Sequence, residues 1–300
     1  MKGFLKGYYG YKNFGDELLL LGVISYITQQ YALDELVIEA GDPIRLESWL
    51  DRHSIYLPTN LLITCVPKHT SHHGRDILFL WGGEVITDGR PFPYNGRNYL
   101  FGYRKTIFHG RYYLLGGVGT PKRFLSNRLR NTLLSNTSWV IVREKKSYGI
   151  VQDMAPKTPL TQRHDFALDI LDRVSPQVVW TQNHFIINVN PYIWNDETKE
   201  KIRTVVTQHP ESDLIYFPAE IGTDDRYRDP LQKFLGSEIQ LFDRTKHTIG
   251  EICRWVQQSH GGISARLHLL LLFRYFQKPF TPLVYQEKIS TFLETCSEAS

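Results

Sequence analysis

Cysteine is scarce in this sequence, which limits the covalent and metal-bound structures that are possible. Only Cys65, Cys253 and Cys296 occur among 300 residues, and they lie far apart. An odd number at this spacing supports neither a disulfide framework nor a zinc site built from closely spaced ligands. We therefore expect a protein of a reducing compartment.

Long hydrophobic runs and basic clusters are also missing. The longest apolar runs, Leu18 to Ile24 and Leu267 to Phe273, fall well short of the roughly 20 residues that span a bilayer. The N-terminus lacks the apolar core of a signal peptide. A net charge of +4 is spread along the chain without a basic block, which argues against nucleic-acid binding. We expect a cytoplasmic protein whose charged partners are small anions.

Short apolar runs rich in β-branched and aromatic residues alternate with amphipathic segments, a pattern typical of βα units around a largely parallel sheet. Prolines and mixed polar residues weaken the pattern between Ala155 and Trp180, and a second α/β series follows. The length is about twice that of the commonest domain. We predict two Rossmann-like α/β domains, 1–172 and 173–300, facing one another across a cleft.

The alternation also predicts the individual elements. The predicted strands are 3–8, 35–40, 61–65, 76–81, 111–115, 139–142, 185–190, 214–217, 240–242, 262–265 and 282–285. The predicted helices are 16–30, 43–52, 121–134, 144–152, 196–208, 249–259, 267–276 and 287–295.

The first candidate ligand loop, Gly7 to Gly22, follows the first predicted strand. Its glycines and Asn13 let backbone N–H groups approach a ligand closely, and the helix start behind the loop favours an anion. The spacing matches neither the GxGxxG of dinucleotide binding nor a P-loop. The other interpretation is a tight turn in which Asp16 caps the helix.

Further glycines and charges follow other predicted strands, where ligands of parallel sheets usually bind. Glycine turns containing Gly83 and Gly117 follow two of these strands, although such turns also occur for steric reasons alone. Arg143 ends another strand, with Ser147 one helical turn later, and can bind a carboxylate or phosphate through two parallel hydrogen bonds. The alternative for Arg143 is a solvated helix start with a local Glu144 pair.

Arg266 and His268 lie in the first turn of a very apolar predicted helix. Both side chains need polar partners there, and their positive charge opposes the helix dipole unless an anion is bound. A lone histidine on such a helix is more often a core residue. The arginine beside it favours an anion site instead.

Taken in order, these stretches resemble the polysaccharide pyruvyl transferase family. The matching segments, between Gly7 and Leu293, are GYYGYKNFGDELLL, WGGEVITD, GGVGTP, VREKKS, HDFALD, SARLH and VYQEKISTFL. Two positions depart from the family pattern. Glu84 follows two glycines where a third is frequent, and Phe166 replaces a usual proline.

The resemblance implies a glycosyltransferase B-like architecture and transfer of a pyruvyl group from phosphoenolpyruvate to a sugar diol, with release of phosphate. It implies no metal and no cofactor beyond this co-substrate. Arg143 and Arg266 would bind the carboxylate and phosphate of the donor, and His268 would lie beside the reacting carbon. The other implied substrate-binding positions are Asn13, Gly15, Gly83, Gly117, Ser147 and Lys288.

The residue types suit this chemistry independently. Forming the ketal delivers a proton to the methylene carbon and removes protons from hydroxyls, and a group of near-neutral pKa such as His268 can do this. We predict Asp16 as the second catalytic residue, while Glu17 and Asp165 stay open for that role.

Two other functions remain open. A nucleotide-sugar glycosyltransferase of the same fold would need an acidic residue for the ribose, which Glu220, Asp224 or Asp225 could supply. A non-catalytic carbohydrate-assembly protein would have lost the reaction, although nothing in a structural helix start requires Arg266 and His268.

The expected partners are phosphoenolpyruvate and a saccharide acceptor, free or lipid-linked, and no nucleic acid is expected. With a lipid-linked acceptor, the basic and aromatic segment 97–111 could touch the inner face of the membrane. The acceptor sugar and the oligomeric state are left open.

Overall fold

The computed structural model describes residues 1–68, 70, 75–86, 111–118, 124–174 and 183–298. The chain divides into an N-terminal unit, Met1–Tyr11 with Leu20–Leu168, and a C-terminal unit, Lys12–Leu19 with Asp169–Ser300. The predicted boundary after 172 falls a few residues beyond the observed one. It also misses that the loop segment Lys12–Leu19 groups with the C-terminal unit.

The N-terminal unit is built on a seven-stranded sheet with the order β3-β2-β1-β4-β5-β6-β7, in which all neighbours are parallel. Its strands are β1 Lys2–Lys6, β2 Glu35–Ala40, β3 Leu62–Pro67, β4 Ile77–Ile86, β5 Arg111–Val118, β6 Trp139–Val142 and β7 Leu160–Gln162. Phe4, Leu78, Leu80 and Leu114 in the central strands are at most 1% exposed. Consecutive apolar residues along β1 and β4 are buried because helices cover both faces of a parallel sheet.

The C-terminal unit has a five-stranded parallel sheet with the order β10-β9-β8-β11-β12. Its strands are β8 His184–Asn188, β9 Asp213–Tyr216, β10 Gln240–Leu241, β11 Gly261–Ser264 and β12 Phe280–Pro282. The strand order reverses between β8 and β11, where Asn188 and Ser264 pair at the carboxyl ends. Ligands of doubly wound sheets bind outside such a reversal.

The helices of the described residues are Phe14–Gln30, Pro43–Arg52, Phe124–Ser135, Lys145–Met154, Ala167–Val174, Asp196–Val206, Arg228–Leu235, Ile249–Gln258, Leu267–Tyr275 and Glu287–Glu298. The helix at Pro43 starts after Asp42, whose carboxylate accepts a hydrogen bond from the Arg45 N–H at 3.1 Å. In this described part of the chain, no helix is both long and apolar enough to cross a bilayer.

The predicted α/β class with two Rossmann-like domains is confirmed. Strand β7 and the helices Ala167–Val174 and Arg228–Leu235 were not predicted, because prolines and polar residues obscure their short apolar patterns. Pro230 lies in the first turn of its helix, where a missing N–H is tolerated. The last strand is Phe280–Pro282 and not 282–285, and residues 121–123 of one predicted helix lie outside the described residues.

Candidate functional site

The glycine-rich loop leads into a helix that begins at Phe14, two residues earlier than predicted. The Asn13 side-chain oxygen accepts hydrogen bonds from the Gly15 N–H at 3.0 Å and the Asp16 N–H at 3.4 Å. The alternative interpretation, in which Asp16 caps this helix, is therefore wrong, because Asn13 fills that position. The carboxylate of Asp16 is left available for other interactions.

Backbone pairing holds this helix start against the segment that follows β9. Asn13 and Glu220 face one another in an antiparallel bridge, and the Phe14 N–H donates to the Ala219 carbonyl at 2.7 Å. The Phe14 ring packs edge-on against Phe217, with ring centres 5.4 Å apart. These contacts explain why the segment Lys12–Leu19 groups with the C-terminal unit.

Arg266 follows β11 and binds two carboxylates. Its Nε donates to Asp224 at 3.1 Å, and its Nη2 donates to Glu220 at 3.0 Å and also to Asp224. Burial favours the neutral form, but the hydrogen bonds and charge of Asp224 outweigh it and raise the pKa of Arg266. Its Nη1 forms no hydrogen bond with another described residue.

Buried polar groups at the sheet reversal fix the backbone that carries Arg266. The Asn188 amide donates to the Phe217 carbonyl at 2.9 Å and to Asp224 at 3.2 Å. The Ser264 hydroxyl donates to the Asn188 side-chain oxygen at 3.3 Å and accepts from the Arg266 N–H at 2.9 Å. Because Asn188, Ser264 and Asp224 are fully buried, this network is well suited to hold Arg266 rigidly.

His268 is the second residue of the helix Leu267–Tyr275, and its ring lies directly against Gly15. A Cβ atom at Gly15 would come within 2.0 Å of the His268 Nδ1. Only glycine allows this approach without displacing the imidazole. The structure thus brings together two residues predicted for the site from opposite ends of the sequence.

Asp16 lies on the same helix turn as Gly15. Burial raises its pKa from 3.8 to about 7, the positive charges of Lys288 and Arg266 act against this rise, and Glu220 and Glu17 add to it. A carboxyl group with this pKa exchanges protons near neutral pH. It joins His268 as a second group that can act as an acid or a base.

The other two carboxylates considered for this role have arginine partners. Glu17 forms an ion pair with Arg244 at 2.9 Å, and both side chains are at most 6% exposed. Asp165 accepts from Arg143 at 2.8 Å through one oxygen and from the Ala167 N–H at 3.0 Å through the other. Each therefore has an evident structural role, which favours Asp16.

The predicted binding residues of the N-terminal unit are held by neighbouring protein groups. Arg143 donates at 2.8 Å to Glu144 and at 2.8 Å to Asp165, so the local Glu144 pair considered from the sequence does form. The buried Ser147 hydroxyl accepts from the Val118 N–H at 3.0 Å. Ser147 thus joins its helix to the end of β5, and a ligand is not needed to explain its burial.

The predicted glycine turns in this unit are parts of strands. Gly83 lies within β4 and Gly117 within β5, where the pairing register shifts between Gly82 and Glu84 and again between Glu84 and Ile86. Strand β4 continues through Gly83 with bulges and β5 continues through Gly117, so the expected turns are wrong. Residues 97–110 of the predicted membrane-contact segment 97–111 lie outside the described residues.

Phe166, which departs from the family pattern, packs in the N-terminal unit. Its carbonyl oxygen would lie 1.9 Å from a Cβ at Gly22, and its ring meets Tyr26 at 5.2 Å between centres. The Arg163 guanidinium lies 4.6 Å from the centre of the same ring. The phenylalanine therefore fills an aromatic cluster under the helix Phe14–Gln30.

Sequence reasoning missed Arg244 and the buried network of Asn188 and Ser264. Asp224 and Glu220 were considered only as ribose ligands, whereas both pair with Arg266. No local motif marks Arg244, because its partner Glu17 is 227 residues away. Across the described ranges, no three His, Cys, Asp or Glu side chains converge as a metal-binding group.

Comparisons with known proteins agree with this architecture. A family model described as polysaccharide pyruvyl transferase matches residues 13–287. A search of curated proteins found no match.

Solved structures with a similar fold come from nucleotide-sugar enzymes of the glycosyltransferase B type. Staphylococcus aureus MnaA with UDP shares 10% identity over 99% of this chain and 87% of its own, at a TM-score of 0.64. The UDP-GlcNAc 2-epimerase of Neisseria meningitidis shares 12% identity over 98% of this chain and 85% of its own, at a TM-score of 0.59. The UDP-GlcNAc 2-epimerase of Methanocaldococcus jannaschii shares 10% identity over 98% of this chain and 87% of its own, at a TM-score of 0.61. At these identities the likeness establishes the fold alone.

Proposed function

The chain belongs to the polysaccharide pyruvyl transferase family, and we propose that it transfers the pyruvyl group of phosphoenolpyruvate to two hydroxyls of a saccharide. The product is a pyruvyl ketal, and phosphate is released. The observation that carries the proposal is the grouping of Arg266, His268 and Asp16 at two helix starts beside the reversal of the C-terminal sheet.

The proposed donor site binds an anion mainly through Arg266, Lys288 and the N–H groups at the start of the helix Leu267–Tyr275. Two carboxylates already balance the charge of Arg266, so this guanidinium contributes oriented hydrogen bonds more than net charge. Phosphoenolpyruvate adds a carboxylate and a phosphate. We therefore expect its binding to favour the protonated form of Asp16.

The proposed reaction forms two C–O bonds at C2 of the pyruvyl group and breaks the bond from C2 to the phosphate oxygen. One hydroxyl proton ends on the methylene carbon, which becomes methyl, and the other leaves with phosphate. Protonated Asp16 supplies the proton to carbon, and His268 accepts the proton of the first attacking hydroxyl and passes it to the leaving phosphate. Deprotonated Asp16 then accepts the proton of the second hydroxyl, which restores both groups.

In this proposal the acceptor is a saccharide, free or lipid-linked. Arg143, Ser147, Gly83 and Gly117 remain predicted substrate-binding residues. The reaction takes place in the cytoplasm, at the membrane when the acceptor is lipid-linked. It uses no metal and no cofactor besides phosphoenolpyruvate.

Product formation tests the proposal directly. The full chain is incubated with phosphoenolpyruvate and a panel of saccharides, phosphate release is followed, and the ketal methyl group is detected by NMR. We expect phosphate release that depends on an acceptor and is lost in His268→Ala. Transfer from a nucleotide sugar, with no reaction of phosphoenolpyruvate, would contradict the proposal.

A further inference from the structure

We propose that Arg244 is a positioning residue, which holds the helix start carrying Asp16 and Gly15 in register with His268. This inference rests on the proposed function, because it assigns a role in the same reaction. Arg244 lies in a short 3-10 helix after β10, and its side chain is 4% exposed. It is therefore too enclosed to be a substrate contact itself.

The guanidinium binds the chain on both sides of the turn 13–16, which carries Gly15 and Asp16. Its Nη1 donates to Glu17 at 2.9 Å, directly after Asp16, and its Nη2 donates to the Lys12 carbonyl, directly before Asn13. Its centre lies 5.7 Å from the centre of the Phe14 ring. One side chain thus fixes both ends of the turn.

The Lys12 backbone also supports this role. Its φ angle of 58° is in the left-handed region, which a lysine seldom adopts without support from its surroundings. The Lys12 carbonyl accepts from the Ile221 N–H at 3.2 Å as well as from Arg244. The chain therefore enters the helix in a conformation that these two donors stabilise.

The turn held in this way carries the reacting groups. Gly15 contacts the His268 ring, so a shift of the helix start would move the turn relative to the imidazole and alter the placement of Asp16. The Glu17 charge also helps to raise the pKa of Asp16. Well-packed apolar residues often stabilise a core at least as much as a buried ion pair does. The role of the Arg244–Glu17 pair is therefore to fix the position of the turn.

Arg203 provides a matched control in the same unit. It binds Glu200 at 3.0 Å and the Phe234 carbonyl at 3.2 Å, and its guanidinium lies 3.9 Å from the Phe234 ring centre. Its side chain is 44% exposed. It thus makes the same three kinds of contact on the protein surface.

The test measures kcat, KM for phosphoenolpyruvate and amide hydrogen exchange of residues 13–17 in wild type, Arg244→Met, Arg244→Lys and Arg203→Met. In Arg244→Met we expect kcat to fall about 10²-fold, as misplacement of reacting groups does, with a much smaller change in KM and faster exchange in the turn. Arg244→Lys should recover part of kcat, and Arg203→Met should match wild type. An unchanged kcat and exchange in Arg244→Met, or equal losses in Arg203→Met, would overturn the proposal.

The double variant Glu17→Gln/Arg244→Met removes both buried charges and covers the case in which Arg244→Met fails to fold. We expect it to fold with a low kcat and fast exchange in the turn, and wild-type kcat in it would overturn the proposal. If wild type forms no ketal, the proposed function fails by itself. The exchange comparison then decides whether Arg244 orders the turn.

Discussion

The two arginines predicted to bind the donor have closely similar partners but different surroundings. Arg143 in the N-terminal unit and Arg266 in the C-terminal unit each follow a strand and each bind two carboxylates. One partner of Arg143, Asp165, also caps a helix. A carboxylate-bound arginine after a strand is therefore not enough to identify an anion site.

The surroundings of Arg266 differ because titratable groups gather there. Asp16 is near enough for Arg266 and Lys288 to influence its pKa, and His268 stands against the same helix turn. Catalytic sites are often recognised by such perturbed groups, whereas a paired arginine alone is common in structural networks. This contrast leads us to place the chemistry in the C-terminal unit.

The largest expected effect comes from replacing one carboxylate in each unit, Asp16 in the C-terminal unit and Asp165 in the N-terminal unit. Asp16→Asn should lower kcat by about 10²- to 10⁴-fold, because the group that protonates carbon is lost. Asp165→Asn removes the ion pair with Arg143 and keeps an oxygen that can cap the helix, so it should lower the melting temperature and leave most of kcat. Steady-state kinetics and thermal unfolding of both variants check this. Equal losses of kcat would remove the distinction between the units.

The second effect concerns the close approach of Gly15 to His268. Gly15→Ala should lower kcat by about 10²-fold, because the new methyl group displaces the imidazole. Gly149→Ala is the matched control, since nothing lies within 4 Å of its Cβ position in the helix Lys145–Met154. That control should be slightly more stable than wild type, by about 0.5–1 kcal/mol. Rates and denaturant unfolding are measured for both variants, and a fully active Gly15→Ala would argue against this geometry.

The third effect is a pH dependence of stability with a defined sign. The pKa of Asp16 rises from 3.8 to about 7 in the folded chain, so the folded state holds a proton that the unfolded state has lost in this window. This group therefore lowers stability progressively as pH rises from about 4 to 7, and its full cost is present above 7. Because Asp16→Asn lacks this group, the free energy of unfolding of wild type minus that of the variant should fall as pH rises from about 4 to 7. A difference that stays constant over this pH range would contradict the raised pKa of Asp16.

Much of the fold could be predicted from the sequence, because its signals are local. The apolar runs of β2 and β6 and the proline that begins the helix at Pro43 predict those elements with correct bounds. The short strand β7, and the position of Gly83 and Gly117 inside strands, could not be predicted from local signals. Their structure depends on pairing with distant strands.

The candidate site was predictable in its residue types but not in its connections. Arg266, His268 and Asp16 stand in recognisable motifs, and the structure brings them together in one unit. The pairing of Asp224 with Arg266 and of Arg244 with Glu17 depends on tertiary folding and leaves no sequence pattern. The segment Lys12–Leu19 shows this dependence most clearly. It groups with the C-terminal unit, although the residues directly before and after it belong to the N-terminal unit.

Calorimetric titration of the full chain with phosphoenolpyruvate tests the central claim most directly. Wild type and Arg266→Lys are titrated at neutral pH in two buffers of different ionisation enthalpy, beside UDP sugars. The account predicts binding to wild type with proton uptake, weaker binding by about tenfold or more in Arg266→Lys because lysine cannot reproduce the planar fork, and no comparable binding of UDP sugars. Binding of a UDP sugar alone, or phosphoenolpyruvate binding that is unchanged in Arg266→Lys, would contradict it.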